Sequence, residues 1–438
     1  MVSSTRLASL LLACCATALA AGAQSPVAKV VSAPAAGEKG GPGLALRTKK
    51  ALTVPLEGRQ FLDDALILVK DGIIVGLGPA RTTPVPAGFE VQDLGRQWVM
   101  PGMIDLHSHI GGTFDINEMV YLVNPGLQVS TSVVPANPSL EKALAAGVTT
   151  VLFIPGSGVN VGGQGVLIKT GLDKYEDALV RDPGSMKLAQ AGNPEGWAIG
   201  VGRSFMNWNT RDMFERGMLY AQQWREFEEG RGPKPVENFD LQIFRDLLDK
   251  KTQISTHTQI YQVVLSTLTM VRKGFGIDVY IDHGEMAGYK LAAFAQELGV
   301  QAILGPRVVE VPTRQFIQWT GSNPEALLGI AAEYQKAGHK RVGFNTDAPV
   351  IPGEELSLQA TMGVRYGFDD SDADSVRGLT IIPAVTAGID KKVGSLEVGK
   401  EADIVVVTGD PVDQRNSVEV VFIGGRRVYD AKRDIRRY

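Results

Sequence analysis

The chain has 438 residues, of which 44% are hydrophobic and 21% are charged, a composition typical of a folded globular protein. Its 44 basic side chains face 48 acidic ones, for a net charge of -4, so no global positive field is available to hold a nucleic-acid backbone. The composition therefore excludes a disordered or collagen-like chain and argues against nucleic acid as a partner.

The first 23 residues are predicted to form a secretory signal peptide, because Arg6 precedes an apolar run over residues 7–21 that ends in small residues. Cleavage there would give a mature chain starting near Gln24. The alternative is a lipoprotein anchored at Cys14, since the run contains the lipobox-like sequence LLAC. The run is too short to span a bilayer comfortably, so no membrane span is expected. The signal peptide predicts a periplasmic or secreted protein, and the alternative is an exported lipoprotein held by its lipid anchor.

Both ends of the mature chain are predicted to build one small β-domain. Residues 24–44 are rich in Ala, Gly, Pro and Lys without hydrophobic periodicity and are expected to be a flexible linker. Residues 45–100 hold short β-like runs, and the turn signal Asp71-Gly72 predicts a hairpin among them. A matching pattern returns over residues 390–438. Because a few isolated strands cannot bury enough surface, we expect the two ends to pair as a small β-sandwich domain.

Between these ends, residues 101–389 alternate strand-like and helix-like runs, which is typical of βα units. The runs with strand character cover residues 103–107, 149–154, 165–168, 186–189, 252–257, 279–282, 302–304 and 342–346. Eight such units in a segment of this length predict an α/β fold with a (β/α)8 TIM-like barrel.

Four of the five histidines are placed at the ends of predicted barrel strands. His107 and His109 are two residues apart, so both imidazoles can project from one face of a strand. His257 and His283 each end another strand-like run. Barrel active sites lie at the carboxyl ends of strands, and imidazole binds zinc, iron, nickel or copper. A lone His-x-His would favour two surface histidines, but the shared position of four favours a metal site. The fifth, His339, is predicted to be exposed.

Asp347 closes the last predicted strand in the same way as the four histidines close theirs. Taken alone, it could equally be the N-cap of a helix. A buried carboxylate at a strand end is costly unless it is paired, and a divalent cation would be a suitable partner. As part of the set, Asp347 is therefore favoured as a ligand.

In this order, the motifs resemble those of the metal-dependent amidohydrolase superfamily, nearest its imidazolonepropionase-like branch. The segments that carry the resemblance read PGMIDLHSH at 101–109, AGVTTV at 146–151, GGQ at 162–164, GP at 305–306 and VGSLEVGKEADI at 393–404. The resemblance implies that His107, His109 and Asp347 bind the more buried metal, and that His257 and His283 bind a second one. It implies one or two divalent ions per chain, with zinc as the expected metal.

Members of this superfamily with two metals often bridge them through a carboxylated lysine on the fourth strand. Lys187 is the candidate for this bridge, and Lys169, at another predicted strand end, is its rival. Arg203 and Arg211 are weaker candidates, which could hold a substrate carboxylate by bidentate contact, although a surface salt bridge is the commoner role.

The resemblance implies a hydrolase that cleaves an amide C–N bond in a cyclic amide, an N-acyl amino acid or a short peptide, and the predicted signal peptide implies that it is exported. A divalent metal would supply hydroxide near neutral pH, and Asp347 would transfer the proton from that water to the leaving nitrogen. The same superfamily includes lactonases and deaminases, and a periplasmic binding protein that has lost catalysis is a further alternative. A small-molecule substrate is expected, and a homo-oligomer is compatible with the sequence.

Overall fold

The computed structural model describes residues 29–30, 41–112, 117–196, 202–314, 317–318 and 326–434. The predicted signal peptide, Cys14 and most of the predicted linker at 24–44 lie outside these residues. None of the helices in the described part of the chain combines the length and the hydropathy needed to cross a bilayer.

The strands dominate the two ends of the chain and recur through its middle. In chain order they are β1 (Lys29–Val30), β2 (Gly43–Leu52), β3 (Phe61–Lys70), β4 (Ile73–Pro79), β5 (Phe89–Asp93), β6 (Trp98–Pro101), β7 (Met103–Ser108), β8 (Val148–Phe153), β9 (Val161–Lys169), β10 (Leu179–Ala189), β11 (Ile254–His257), β12 (Ile281–His283), β13 (Ala302–Leu304), β14 (Val309–Glu310), β15 (Leu328–Gly329), β16 (Val342–Phe344), β17 (Ile404–Val407), β18 (Val418–Ile423) and β19 (Arg426–Asp430).

The helices lie almost entirely between β7 and β17. They are α1 (Pro138–Ala145), α2 (Tyr175–Ala178), α3 (Asn193–Gly196), α4 (Arg203–Glu228), α5 (Ile243–Leu248), α6 (Tyr261–Ser266), α7 (Ala292–Glu297), α8 (Ile330–Lys336), α9 (Leu356–Arg365), α10 (Asp374–Leu379) and α11 (Ile381–Thr386). A π-helical segment, Thr267–Gly274, continues α6, and short 3-10 turns precede α5, α7 and α9.

Strands from both ends of the chain form one sheet, in the order β19-β18-β17-β6-β2-β3-β4, with β5 also on β2. The junction is the antiparallel pair of β6 and β17, in which Met100 lies opposite Val405. Side chains from the two ends, such as Leu46 and Phe422, share one buried cluster. The two ends therefore pair with each other in one hydrogen-bonded sheet around a shared core, and the sandwich arrangement of this β-domain stays a prediction.

All eight sequence-predicted barrel strands form, as β7 to β13 and β16. Parallel pairing joins β7 to β8, β10 to β11, β12 to β13 and β13 to β16. Parallel bridges from Ile254 to Val279 and from Ser108 to Ala348 continue the pairing around a ring. The α/β prediction and the TIM-like arrangement are therefore confirmed in outline.

One strand departs from the regular (β/α)8 pattern, because β9 runs antiparallel to both of its neighbours, β8 and β10. The seven residues 154–160 join β8 to β9. A parallel crossover needs about a dozen residues or more, so this connection can only form a hairpin. The ring therefore has one reversed strand.

The reversal of β9 moves Lys169 to the opposite end of the ring from the histidines. Lys169 lies opposite Thr150, near the start of β8, whereas His107 lies near the end of β7. Its Nζ contacts the Asp403 carboxylate and lies 3.1 Å from Glu401 Oε2. The prediction of Lys169 as a metal bridge is therefore wrong, because the end of an antiparallel strand lies at the amino-terminal edge of its parallel neighbours.

His339 is 2% exposed, so the prediction of an exposed histidine is wrong. Its Nε2 donates to the Val300 carbonyl over 2.9 Å, its Nδ1 accepts from the Arg341 N–H, and its ring lies edge-on to Tyr334. Burial lowers the pKa of His339. The residue is a hydrogen-bonded part of the core between α8 and β16.

Candidate metal centre

The predicted histidine ligands meet at the carboxyl ends of the barrel strands. His107 lies in β7 and His109 one residue beyond its end, while His257 and His283 are the last residues of β11 and β12. The ring centroid of His107 is 5.1 Å from that of His109 and 4.5 Å from that of His283. The His257 and His283 centroids are 4.3 Å apart.

Asp347 joins the first two histidines. Its Oδ1 lies 3.1 Å from His107 Nε2 and 3.2 Å from His109 Nε2, and one potential ligand atom from each of the three lies within 4.8 Å of the others. His109 Nδ1 lies 2.8 Å from the Ile154 carbonyl oxygen, to which it donates. That hydrogen bond leaves the Nε2 lone pair turned toward Asp347, the orientation that metal ligation needs.

His257 and His283 form the second part of the cluster. His283 Nδ1 donates to the Gly305 carbonyl over 2.7 Å, so its Nε2 lone pair faces His257 Nδ1, 2.9 Å away. His257 Nε2 is buried and has no hydrogen-bond partner among the described residues. If the proton of His257 is on Nδ1, it can be donated to His283 Nε2, but the buried Nε2 of His257 is left without a partner. If the proton is on Nε2, the lone pair of His257 Nδ1 faces that of His283 Nε2. A bound cation would relieve both conflicts, so these residues fit a metal.

Lys187 reaches the same cluster from β10. Its Nζ lies 3.2 Å from His107 Nε2, and the side chain is fully buried. Burial lowers the pKa of Lys187 to about 8, although the charges of Asp282 and Asp347 oppose this shift. The neutral amine is therefore accessible near neutral pH, as carboxylation of a lysine requires.

Sequence reasoning missed the polar residues that hold His107. Asp282 Oδ2 lies 2.7 Å from His107 Nδ1, and Asn345 Nδ2 donates to the other oxygen of Asp282 over 3.1 Å. Asp105 accepts from the His107 backbone N–H, and burial raises the pKa of its carboxyl to about 7. The available signal was the presence of Asp105 and Asp282 within otherwise apolar strands.

Charge is concentrated around His107 and Asp347. Burial by itself would lower the pKa of His107, but the carboxylates of Asp282 and Asp347 outweigh it and raise the value to about 9. Burial would raise the pKa of Asp347, yet the charge and hydrogen bond of His107 hold it far below the usual range. The imidazolium at His107 thus supplies the positive charge that these carboxylates require, and a divalent cation would replace its proton.

Burial dominates the protonation of the other histidines. It lowers the pKa of His257 to about 3, holds that of His283 well below its ordinary value, and lowers that of His109. All three rings are therefore neutral at physiological pH. Neutral imidazole is the form that binds metal ions.

Two of the proposed ligands have a left-handed backbone. His283 has φ +74° and Asp347 has φ +50°, in a region that non-glycine residues seldom occupy. Each such residue costs on the order of 1–3 kcal/mol and persists when surrounding contacts enforce it. Both outliers fall where a strand turns its last side chain into the cluster.

A cavity of about 320 Å³ has Gly192, Glu195, Arg203 and Gln259 in its wall. Gly192, in its wall, has φ +78°, and a Cβ there would lie 3.4 Å from His257 Nε2. Arg203 also lines the cavity and makes a bidentate contact with Glu195, at 3.0 Å for both hydrogen bonds. Arg211 does not reach it, since its guanidinium is exposed and lies 3.9 Å from Glu215 on the same helix.

The amidohydrolase family profile matches residues 330–428. The amidohydrolase tasK of Hapsidospora irregularis is 24% identical over 408 residues, which are 83% of this chain and 40% of that protein. The imidazolonepropionase of Sphingopyxis alaskensis is 24% identical over 381 residues, which are 81% of this chain and 89% of that enzyme. The chain thus spans less than half of one relative and most of the other.

Among solved structures, an amidohydrolase from Thermotoga maritima is 26% identical, with a TM-score of 0.76 and coverage of 88% of this chain and 100% of that one. A prolidase complexed with N-methylphosphonate-L-proline has a TM-score of 0.54 at 19% identity, covering 89% of this chain and all of its own, which is a likeness of fold. The profile, the relatives and the structure support the metal-dependent amidohydrolase superfamily. The chain is similar to imidazolonepropionases from two bacteria over 80–81% of its length, and the resemblance stated from the sequence is confirmed.

Proposed function

We propose that this protein is a metal-dependent hydrolase that cleaves an amide C–N bond in a small molecule. The proposed substrates are cyclic amides, N-acyl amino acids and short peptides. The proposed metal is zinc, with one or two ions per chain. The named relatives and the family profile support the reaction type, since they include amidohydrolases and imidazolonepropionases.

The observation that carries the proposal is the convergence of four histidines and Asp347 in one largely buried cluster at the carboxyl ends of the strands. His107, His109 and Asp347 would hold one ion, and His257 and His283 the other, with Lys187 between them as a carboxylated bridge. The three-residue group has its potential ligand atoms within 4.8 Å of one another. A cluster of this kind would be costly to keep without a cation, because it buries several lone pairs and an anionic carboxylate.

A bound divalent ion supplies a water of lowered pKa and polarises a carbonyl. The chain's own residues do the rest. Asp282 and the Ile154 carbonyl fix the ring orientation of His107 and His109 through their Nδ1 atoms. Asp347 is held ionised, the state in which its carboxylate can accept a proton from the attacking water and deliver it to the leaving nitrogen.

The cavity lined by Gly192 and Arg203 is the proposed substrate pocket. Its volume of about 320 Å³ suits a small molecule rather than a folded polypeptide. Arg203 is 40% exposed and keeps a carboxylate partner in Glu195, so a substrate carboxylate would have to compete for that guanidinium. Arg203 therefore stays a secondary candidate for substrate binding.

The test combines metal analysis with the variant Asp347→Asn. We expect the purified protein to contain one or two ions per chain and to hydrolyse at least one member of a panel of cyclic amides, N-acyl amino acids and dipeptides. Loss of a general acid–base group typically costs about 10²–10⁴-fold in rate, so Asp347→Asn is expected to fall in that range. Elemental analysis and circular dichroism of the variant separate loss of catalysis from loss of metal or of fold.

Full activity of Asp347→Asn with normal metal content would contradict the assigned role. Hydrolysis of lactones or amino-purines in place of amides would show that the protein has another activity on the same fold. No metal after reconstitution with zinc or manganese, together with tight binding of an unhydrolysed small molecule, would favour a binding protein.

We also propose export to the periplasm or beyond, which rests on the sequence of residues 1–23. The amino-terminal residue of the exported protein, Gln24 or an acylated Cys14, distinguishes a released protein from an anchored one.

A further inference from the structure

A cavity of about 420 Å³ lies on the opposite face of the barrel from the candidate metal centre. Its wall includes Thr252 and Gln253, just before β11, Val279, just before β12, and Gln301, just before β13. The proposed histidine ligands lie at the other ends of β11 and β12. The cavity is therefore separate from the proposed active site.

The wall of this cavity is rich in positive charge. Four basic side chains line it, Arg181, Lys250, Lys251 and Arg272, against one acidic side chain, Asp278. Arg272 contacts Asp278, and Lys250 Nζ lies 4.0 Å from the same carboxylate. Lys251 Nζ lies 3.0 Å from the Asp249 carboxylate, which Arg225 also contacts. Two carboxylates thus face three of the lining cations, and the wall keeps an excess of positive charge.

Arg181 is the buried member of the set, with 5% exposure. Its Nη1 donates to the Ala387 carbonyl over 2.6 Å, and its Nη2 donates to the Gly184 carbonyl over 2.6 Å and to Gln253 Oε1 over 2.8 Å. All three acceptors are neutral. Arg181 Nε and Gln253 Nε2 have no acceptor among the described residues. This part of the wall therefore combines an unneutralised guanidinium with two unused donors.

Burial lowers the pKa of Arg181 to about 10, so the side chain is still a cation at neutral pH. A buried charge without a counter-ion is strongly unfavourable. The same barrel shows how the chain neutralises a buried cation, since Lys169 lies between the carboxylates of Asp403 and Glu401. Arg181 lacks such a partner within the described chain and instead borders an open cavity.

We propose that this cavity binds a small molecule that carries a phosphate group, with Arg181, Lys250 and Lys251 as its recognition residues. A doubly charged phosphate matches the excess of positive charge better than a single carboxylate, and guanidinium and ammonium groups both bind phosphate oxygens. The cavity is larger than a phosphate ion, which leaves room for the rest of the molecule. The site is independent of the proposed hydrolysis.

The test is titration calorimetry of the full-length, metal-loaded protein with inorganic phosphate. We expect saturable binding that weakens as sodium chloride is added, because the attraction is electrostatic. The double variant Lys250→Gln/Lys251→Gln is expected to bind about tenfold more weakly, since it removes two charge-assisted contacts. Both lysine side chains are more than 40% exposed, so the double variant is expected to fold normally.

Lys336→Gln is the matched control, because Lys336 is 66% exposed and ion-paired but lies outside the cavity wall. It is expected to bind phosphate as the unchanged protein does. Arg181→Gln is expected to abolish binding, and if that variant fails to fold, the lysine pair still decides the question. No saturable binding up to roughly 10 mM phosphate would overturn the proposal. Equal affinity in the double variant and the control would overturn it as well, because the bound phosphate would then not depend on the lysines of this cavity.

Discussion

Two lysines on neighbouring strands of the barrel, Lys169 on β9 and Lys187 on β10, are both fully or almost fully buried. Burial disfavours the charge of both, but Asp403 and Glu401 overcome this effect at Lys169 and raise its pKa. No carboxylate of the described chain lies within ion-pair distance of Lys187, and burial lowers its pKa to about 8. The chain thus neutralises one buried lysine and leaves the other available for chemistry. We infer that Lys169 is structural and that Lys187 is functional.

The largest expected effect is a loss of stability in the variant Lys169→Met. Removing the lysine leaves Glu401 and Asp403 as buried carboxylates without their cation. Breaking a buried ion pair in this way costs about 3–5 kcal/mol of the free energy of unfolding. Guanidinium unfolding monitored by circular dichroism measures the loss, and the metal content per folded chain is expected to stay unchanged.

The triple variant Lys169→Met/Glu401→Gln/Asp403→Asn serves as the control for that result, because it removes both stranded charges along with the lysine. It is expected to recover much of the lost stability. A loss of less than about 1 kcal/mol in the single variant, the range of an exposed pair, would contradict the structural role of Lys169.

The next largest expected effect is a loss of metal and of activity in the variant Lys187→Met. Methionine fills a similar volume and removes a buried cation that has no carboxylate partner, so the free energy of unfolding is expected to stay equal or to rise. Metal content is expected to fall from about two ions per chain to about one, because a two-metal site would lose its bridge. Loss of a residue that only orients a metal ligand typically costs about 10–100-fold in activity. Because Lys187 would itself bind the metals, the hydrolysis rate is expected to fall at least about 100-fold.

Elemental analysis and initial-rate measurements check the two readouts separately. Full metal content in Lys187→Met would contradict a bridging role, even if activity fell. Partial recovery by short carboxylic acids added to the variant would support it, since such acids can occupy the space of a carboxylated side chain.

Hydrophobic periodicity was sufficient to predict the eight barrel strands and the pairing of the chain ends. The predicted strand ends also indicated that His107, His257 and His283 lie at one end of the barrel, because parallel strands share their carboxyl edge. Periodicity could not show which of Lys169 and Lys187 lies at the metal site, because both belong to apolar runs. The difference comes from the reversal of β9, which depends on a short connection. Partners from distant strands, such as Asp282, were equally invisible, because register between strands is a tertiary property.

The smallest expected effect is a difference in pH dependence between the two lysines in metal-free protein. Lys187 has a folded pKa of about 8 against an ordinary value of 10.5. Between these values the unfolded chain binds a proton that the folded chain lacks, so the contribution of Lys187 to stability rises with pH. Lys169 has a raised folded pKa, so its contribution is present below 10.5 and is lost only as the pH rises through the folded value.

The measurement is the free energy of unfolding at several pH values between about 7 and 10, with a chelator present, for the unchanged protein and for Lys187→Met. The unchanged protein is expected to gain stability relative to this variant above pH 8, by at most about 1.4 kcal/mol per pH unit. The difference between the unchanged protein and Lys169→Met is expected to stay flat over the same range. Parallel curves for the unchanged protein and Lys187→Met would mean that Lys187 keeps its proton when buried, and a lysine that stays charged cannot become the carboxylated bridge.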